Sequence, residues 1–106
     1  MNYSKACYKQ MRQLMFKAYE KELSLELETL SGQFQLWGKE EITAWELEDA
    51  IHQFHNGPAK KLYSRYINVP PEMILPYTLA KGIISFDNCP EEIREEMAMR
   101  TQIFGE

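Results

Sequence analysis

The feature that most constrains this chain is the stretch Ser4–Leu30, which contains neither glycine nor proline. It is rich in lysine, glutamine, glutamate, methionine and leucine, all of which favour a helical backbone. We therefore expect one long helix, or two in series, ending at Ser31-Gly32, because glycine readily adopts the left-handed conformation that closes a helix. The rest of the chain must then cover the apolar side of this helix.

The apolar side chains of this stretch fall on two helical faces. The first face consists of Cys7, Met11, Leu14, Ala18 and Leu25, with Met15 at its edge. The second face consists of Phe16, Leu23, Leu27 and Leu30. Because the phase changes near Glu20–Ser24, either the helix kinks there or its C-terminal half is covered by another element or another subunit.

The next segment, Gln33–Ile42, is expected to be an extended loop, since its alternating pattern has no second strand to pair with. The side chains expected to anchor it on the core are Phe34, Leu36 and Trp37. Thr43 and Glu46 have the spacing of a capping box, which starts a helix that runs from Ala44 to His55 or Asn56. The core face of this helix comprises Ala44, Leu47, Ala50, Ile51 and Phe54.

A stop signal follows at Asn56-Gly57-Pro58, where glycine closes a helix and proline cannot continue one. Pro58 can start the next helix, Pro58–Ile67, so the two helices are expected to form a hairpin or corner. The apolar face of the second helix comprises Ala59, Leu62, Tyr63, Tyr66 and Ile67.

The C-terminal third predicts two more helices. Glu72–Lys81 is apolar on nearly every side and should be interrupted or kinked at Pro76, with Gly82 as its cap. A last helix follows Asn88, which has capping-box spacing to Glu91. The whole chain, 1–106, therefore predicts a single all-α domain. We expect a compact bundle of about five helices, with the long N-terminal helix packed on the central hairpin Ala44–Ile67.

Composition argues against nucleic-acid binding, membrane insertion and secretion. The net charge is −4 and no basic run exceeds Lys60-Lys61, so a nucleic-acid regulator using Lys60, Lys61 and Arg65 is a minor alternative. No stretch reaches the roughly 20 apolar residues that span a bilayer, and the N-terminus lacks the apolar region of a signal peptide. Two widely separated cysteines indicate a reduced, cytoplasmic setting.

One constellation could form a ligand or metal site. Glu48, His52 and His55 share a stripe along the helix that begins at Ala44, and we call these three residues the histidine stripe. Glu22 or Glu26 from the first helix could complete a set of two histidines and a carboxylate. The alternative is structural, since Glu48 and His52 form a favourable pair one turn apart and neither carboxylate need point inward.

No catalytic motif is present, so an enzyme is disfavoured and no cofactor is predicted. Cys7 lies on an apolar face, and Cys89 has acidic neighbours that oppose a reactive thiolate. The favoured function is a small cytosolic module that binds another protein or itself. The surface expected to bind this partner comprises Phe16, Leu23, Leu27, Leu30, Trp37 and Trp45.

Overall fold

The structure, a computed structural model, describes residues 3–102, and every regular element in that range is helical. The helices are α1 (Lys5–Gly38), α2 (Ala44–Phe54), α3 (Lys60–Ile67), α4 (Pro71–Ala80) and α5 (Glu91–Thr101), with a π-turn at His55–Ala59 and a 3₁₀ turn at Phe86–Asn88. The predicted all-α class is confirmed. Because α2, the π-turn and α3 run on without a break, the described residues form four continuous helices where about five were expected.

Helix α1 is longer than the sequence predicted. Ser4 caps its first turn, with its hydroxyl oxygen accepting a hydrogen bond from the Cys7 amide at 3.0 Å. The helix then passes through Gly32, which does not adopt the left-handed conformation, and ends at Gly38. The predicted end at Ser31-Gly32 and the predicted extended loop at Gln33–Ile42 are therefore wrong. A left-handed Glu40, with φ of 60°, turns the chain back.

The core lies around the N-terminal half of α1. Its buried side chains on that helix are Cys7, Met11, Leu14, Met15 and Ala18. They pack with Leu62, Tyr66, Ile74, Leu75, Leu79, Ile84, Cys89, Ile93 and Met97. Leu25, predicted on the same face, is 64% exposed, so that prediction is wrong. Full burial of this face stops at Ala18, because none of the described residues beyond it on α1 is fully buried.

The predicted stop at Asn56-Gly57-Pro58 does not occur. Proline lacks the amide hydrogen that an α-helix needs, and the π-turn at His55–Ala59 accommodates Pro58 without ending the helix. The continuous helix 44–67 runs back along α1, since Leu30 lies beside Ala50 whereas Glu22 bonds to Arg65. The true hairpin is thus α1 with this helix, and its turn lies at residues 39–43.

Helix α4 also continues through a proline. Pro76 cannot donate to the carbonyl of Glu72, which would be left without its helical partner. Arg100 of α5 fills that role, with its Nη1 donating to the Glu72 carbonyl oxygen at 3.2 Å. The interruption predicted at Pro76 is therefore absent, because a side chain from the neighbouring helix supplies the missing donor.

Two predicted helix caps are confirmed. Thr43 and Glu46 form a reciprocal capping box at the start of α2. Gly82 is left-handed, with φ of 72°, and the Ile83 amide donates to the Thr78 carbonyl oxygen at 2.9 Å, the pattern of a Schellman motif. The predicted cap at Asn88 is wrong, since Pro90 is the residue that precedes α5.

The molecule is elongated, with dimensions of 54 × 24 × 21 Å. Its radius of gyration is 17.4 Å, whereas a compact domain of about 100 residues has one near 13 Å. The compact shape expected from sequence is therefore not found. Residues 24–38 of α1 and the helix α2 extend beyond the core as a two-helix projection, which we call the distal arm. Leu47 is the one residue of this arm that is fully buried.

None of the described helices combines the length and the apolar character needed to cross a membrane.

Replacing Gly32 with alanine should raise the free energy of unfolding by about 0.4–1 kcal/mol, because alanine restricts the unfolded chain and is favoured inside a helix. A Cβ at Gly32 meets no other atom within 4 Å. Gly82→Ala is the matched control and should lose about 1–2 kcal/mol, since φ at Gly82 is 72°. Chemical denaturation measures both; destabilisation by Gly32→Ala would contradict a continuous α1.

Candidate interaction surface

The histidine stripe lies on the surface and is not assembled into a site. Glu48, His52 and His55 are all exposed. Glu48 and His52 border a shallow depression beside Trp45, whereas His55 borders a separate one beside Tyr63. Glu48 and His52 form no ion pair, although their spacing allows one. The three side chains therefore do not converge on a common point.

Glu22 points inward and has hydrogen-bond partners, contrary to the sequence-based alternative in which neither Glu22 nor Glu26 points inward. Its carboxylate accepts hydrogen bonds from the Tyr66 hydroxyl and from Arg65 Nη1, which lies 3.3 Å from both carboxylate oxygens. Tyr66 also stacks on Tyr19, with ring centroids 5.3 Å apart. Burial, and then the bond to the Glu22 carboxylate, raise the pKa of Tyr66 above its ordinary value. Glu22 thus joins α1 to α3.

The proposed metal ligands are spread over different parts of the molecule. Glu22 is engaged by α3, and Glu26 borders two depressions beside Pro58 that neither His52 nor His55 borders. Within residues 3–102, no three histidine, cysteine or acidic side chains are grouped in a way that could hold a metal ion. The structure therefore does not bring the predicted set together.

The basic patch is smaller than the sequence suggested. Arg65 was expected to face water with Lys60 and Lys61, but it bonds to Glu22 and lies over the Tyr77 ring, 4.8 Å from its centroid. Lys60 and Lys61 remain exposed. Two neighbouring lysines form a much weaker electrostatic feature than the basic faces with which proteins neutralise phosphates.

Both cysteines are buried free thiols. Burial raises the pKa of Cys7, and the nearby carboxylates of Glu92 and Glu96 raise it further. Burial also raises the pKa of Cys89, against the opposing effect of Arg94. Since the thiolate is the nucleophilic form, neither environment activates a cysteine for catalysis.

The apolar residues predicted to bind a partner are largely accessible. Phe16, Leu27 and Trp37 are 45%, 46% and 47% exposed, and Trp45 is 71% exposed. Leu23 and Leu30 are half-buried, because they lie where α1 meets the helix 44–67. The structure thus places all six at or near the surface, although Trp45 points away from the face of α2 that carries Leu47.

Several exposed apolar residues were missed from the sequence because they were assigned to the core. Phe34 is 45% exposed and Tyr63 is 53% exposed, and Ile51 is also exposed. Phe34 lies seven residues beyond Leu27, so the helical spacing of the second face would have identified it if α1 had been extended past Gly32.

These exposed groups follow from the shape of the molecule. Two packed helices bury only the side chains between them, and the face of α1 that carries Leu27 and Phe34 is only partly covered by the helix 44–67. Leu23 and Leu27 on this face border a depression that is completed by Phe54, Ala59 and Tyr63. The protein is thus an elongated all-α molecule with a core at one end and an apolar face along its projecting arm.

Comparisons of this chain with protein-family models, with curated proteins and with solved structures found no match.

Replacing Glu22 with alanine should lower the free energy of unfolding by about 1–3 kcal/mol, because the buried Tyr66 hydroxyl and Arg65 lose their acceptor. Glu26→Ala, one turn further along α1, is the matched control. Glu26 makes no hydrogen bond or ion pair within the described part of the chain, so its loss should cost less than about 0.5 kcal/mol. Equal losses in thermal or urea unfolding would argue against the Glu22 bonds.

Tyr66 should make stability decline in alkali. The unfolded chain loses this phenolic proton near its ordinary pKa of 10.0, whereas folded Tyr66 keeps it to higher pH. Above pH 10 the folded state therefore binds more protons, and the free energy of unfolding falls as pH rises. Tyr66→Phe should show a shallower fall than the wild type between neutral pH and alkali, measured by urea unfolding at each pH. Parallel curves would contradict the raised pKa.

Proposed function

We propose that this protein is a small cytosolic interaction module that binds another protein or a second copy of itself through the apolar face of α1 between Phe16 and Trp37, most of which lies on the distal arm. The observation that supports the proposal is the row of half-exposed apolar side chains on that face, including Phe16, Leu27, Phe34 and Trp37. Single exposed apolar residues are common, but a continuous apolar patch marks an interaction site.

The rest of the molecule is suited to holding this face in place. The N-terminal half of α1 is fixed in the core by residues such as Met11 and Ala18, both fully buried. The Glu22 bonds to α3 fix the direction of the helix 44–67, and the capping box at Thr43 fixes its start. A rigid helix that is already formed loses little conformational entropy on binding, which favours association.

Composition and chemistry support a reducing cellular setting. Both thiols are free and buried, so neither stabilises the fold through a disulfide. The core alone carries the fold, as in ordinary intracellular domains.

The two alternative functions predicted from the sequence, a metal site and nucleic-acid binding, have less support than the interaction surface. For a metal site, the residues of the histidine stripe do not converge with Glu22 or Glu26 within the described residues. For nucleic acid, the engagement of Arg65 by Glu22 leaves only Lys60 and Lys61 from the predicted patch. The exposed part of the apolar face, at Phe16, Leu27, Phe34 and Trp37, is the feature that packing within the described residues leaves largely uncovered.

Photocrosslinking tests the proposal. A photoreactive amino acid at Phe34 should give protein adducts in cells that express the chain, whether with itself or with another protein, and Leu27→Lys should suppress them. The matched control is the same probe at Leu25, which is 64% exposed but lies on the opposite side of α1. Equal adduct yields from the two positions, or none from Phe34, would contradict the proposal.

A further inference from the structure

The apolar face of α1 carries a seven-residue repeat. Phe16, Leu23, Leu30 and Trp37 recur at intervals of seven, with Leu27 and Phe34 at intermediate positions four residues after Leu23 and Leu30. From Leu23 to Trp37 these four- and three-residue steps alternate, which is the pattern by which one helix packs along another, whereas the intermediate position between Phe16 and Leu23 is Glu20. We call these six residues the open seam. The repeat extends past Gly32, and it is continuous only because α1 does not end there.

The open seam is accessible to a second helix. Phe16, Leu27, Phe34 and Trp37 are about half exposed, and Leu23 and Leu30 are half-buried. Ser24 and Ser31, each one position beyond a leucine of the seam, are small and uncharged. Short side chains beside an apolar row let a second helix approach closely, and no charge is repelled there.

The N-terminal half of α1 and the distal end of the molecule carry opposite charges, although Glu92 and Glu96 of α5 lie beside the start of α1 and bond to Ser4 and Tyr3. Before Glu20, α1 has the cations Lys5, Lys9, Arg12 and Lys17 and no acidic residue, a net charge of +4. The distal end, residues 38–54, has Glu40, Glu41, Glu46, Glu48 and Asp49 against Lys39, a net charge of −4. All of these side chains are exposed. The basic end also carries Tyr8 beside Arg12 and Phe16, a mixed aromatic and basic surface.

We propose that the occupant of the open seam is a second copy of this chain, whose α1 lies antiparallel to the first. In this arrangement the basic end of one copy faces the acidic distal end of the other, and the contact occurs twice about a two-fold axis. A parallel pair would place like charges together at both ends. Because one chain carries both the basic and the acidic surface, a second copy of the chain provides a complementary partner for each of them.

The antiparallel pair also completes the distal arm. Each arm is a layer of two helices that buries only Leu47 fully. Two such layers face to face make a four-helix bundle, in which the seam residues of both copies lie inside. Reversing one helix about a midpoint near Leu27 sets Phe16 against the region of Trp37 and Leu23 against that of Leu30, and it sets Phe34 against the region of Tyr19.

This inference rests on the proposed function, since it names the partner of the same face. Sedimentation of the purified full chain at high micromolar concentration tests it first. We expect a species of twice the 12.5 kDa chain mass. Leu27→Lys should weaken the association about tenfold or more, whereas Leu25→Lys, the matched control on the opposite side of α1, should leave it unchanged. Circular dichroism checks that both variants stay folded. A monomeric wild-type chain would overturn the proposal.

Charge reversal then tests the antiparallel orientation. Arg12→Glu with Lys17→Glu should weaken the dimer, and so should Glu40→Lys with Glu41→Lys. Each pair of changes brings the net charge of its end to zero, so in an antiparallel pair it removes the attraction between the two ends. In a parallel pair the same changes remove like-charge repulsion at one end and should strengthen the association, so a stronger or unchanged dimer would overturn the antiparallel arrangement.

The two proposals can fail separately. If the purified chain is monomeric but the probe at Phe34 still forms adducts with another protein that Leu27→Lys abolishes, the self-pairing is wrong and the interaction module stands. If the chain is monomeric and the probe gives no adduct, both are wrong. Adducts with nucleic acid in place of protein would likewise overturn both.

Discussion

The length of α1 is the constraint on which the rest of this structure depends. At about 1.5 Å per residue, its 34 residues span nearly the whole 54 Å length of the molecule. The chain after α1 provides α3, α4 and α5 for the first half of that length but only α2 for the second. Three helices therefore cover the first half of α1, whereas in the distal arm α1 is packed on one side only, by α2.

Glu22 marks the point where these two halves meet. The buried face of α1 is apolar through Ala18, and at the next turn it presents a carboxylate. A carboxylate inside an interface needs donors, and Tyr66 and Arg65 supply them. This bond set favours one alignment of α3 on α1, because a shift by a turn in either direction would leave the carboxylate without its donors. The specific alignment of α3 on α1 thus comes from these hydrogen bonds, since apolar packing is less directional.

Local signals in the sequence correctly predicted the helix ends that are formed by hydrogen bonds and backbone conformations within a few neighbouring residues. The capping box at Thr43 and the left-handed cap at Gly82 require nothing from the rest of the chain, and both are found. Gly32 and Pro58 were misjudged because each weakens a helix without forbidding it. The contacts of α1 with the helix 44–67 offset that cost, and such contacts are invisible in a local pattern.

Only part of the candidate surface was predicted, because a local pattern does not show which other elements cover a helix. Phe16 and Leu27 were identified by phase alone, since the second face differs from the face that fills the core. Leu25 was misplaced because phase says which residues share a side, but not which side a partner covers at each level of the helix. Where α4 and α5 no longer reach, a position in phase with the core becomes a surface position, as at Leu25.

The contrast between Leu25 and Leu27 bears directly on the proposed interaction surface. Both are exposed leucines on the same helix, two positions apart. Leu25 has no exposed apolar neighbour at helical spacing on its own side, whereas Leu27 belongs to a row that continues to Trp37. Exposure alone costs similar free energy at the two positions and so cannot distinguish them. Periodicity does distinguish them, because only a regular row can be covered along its length by one further helix.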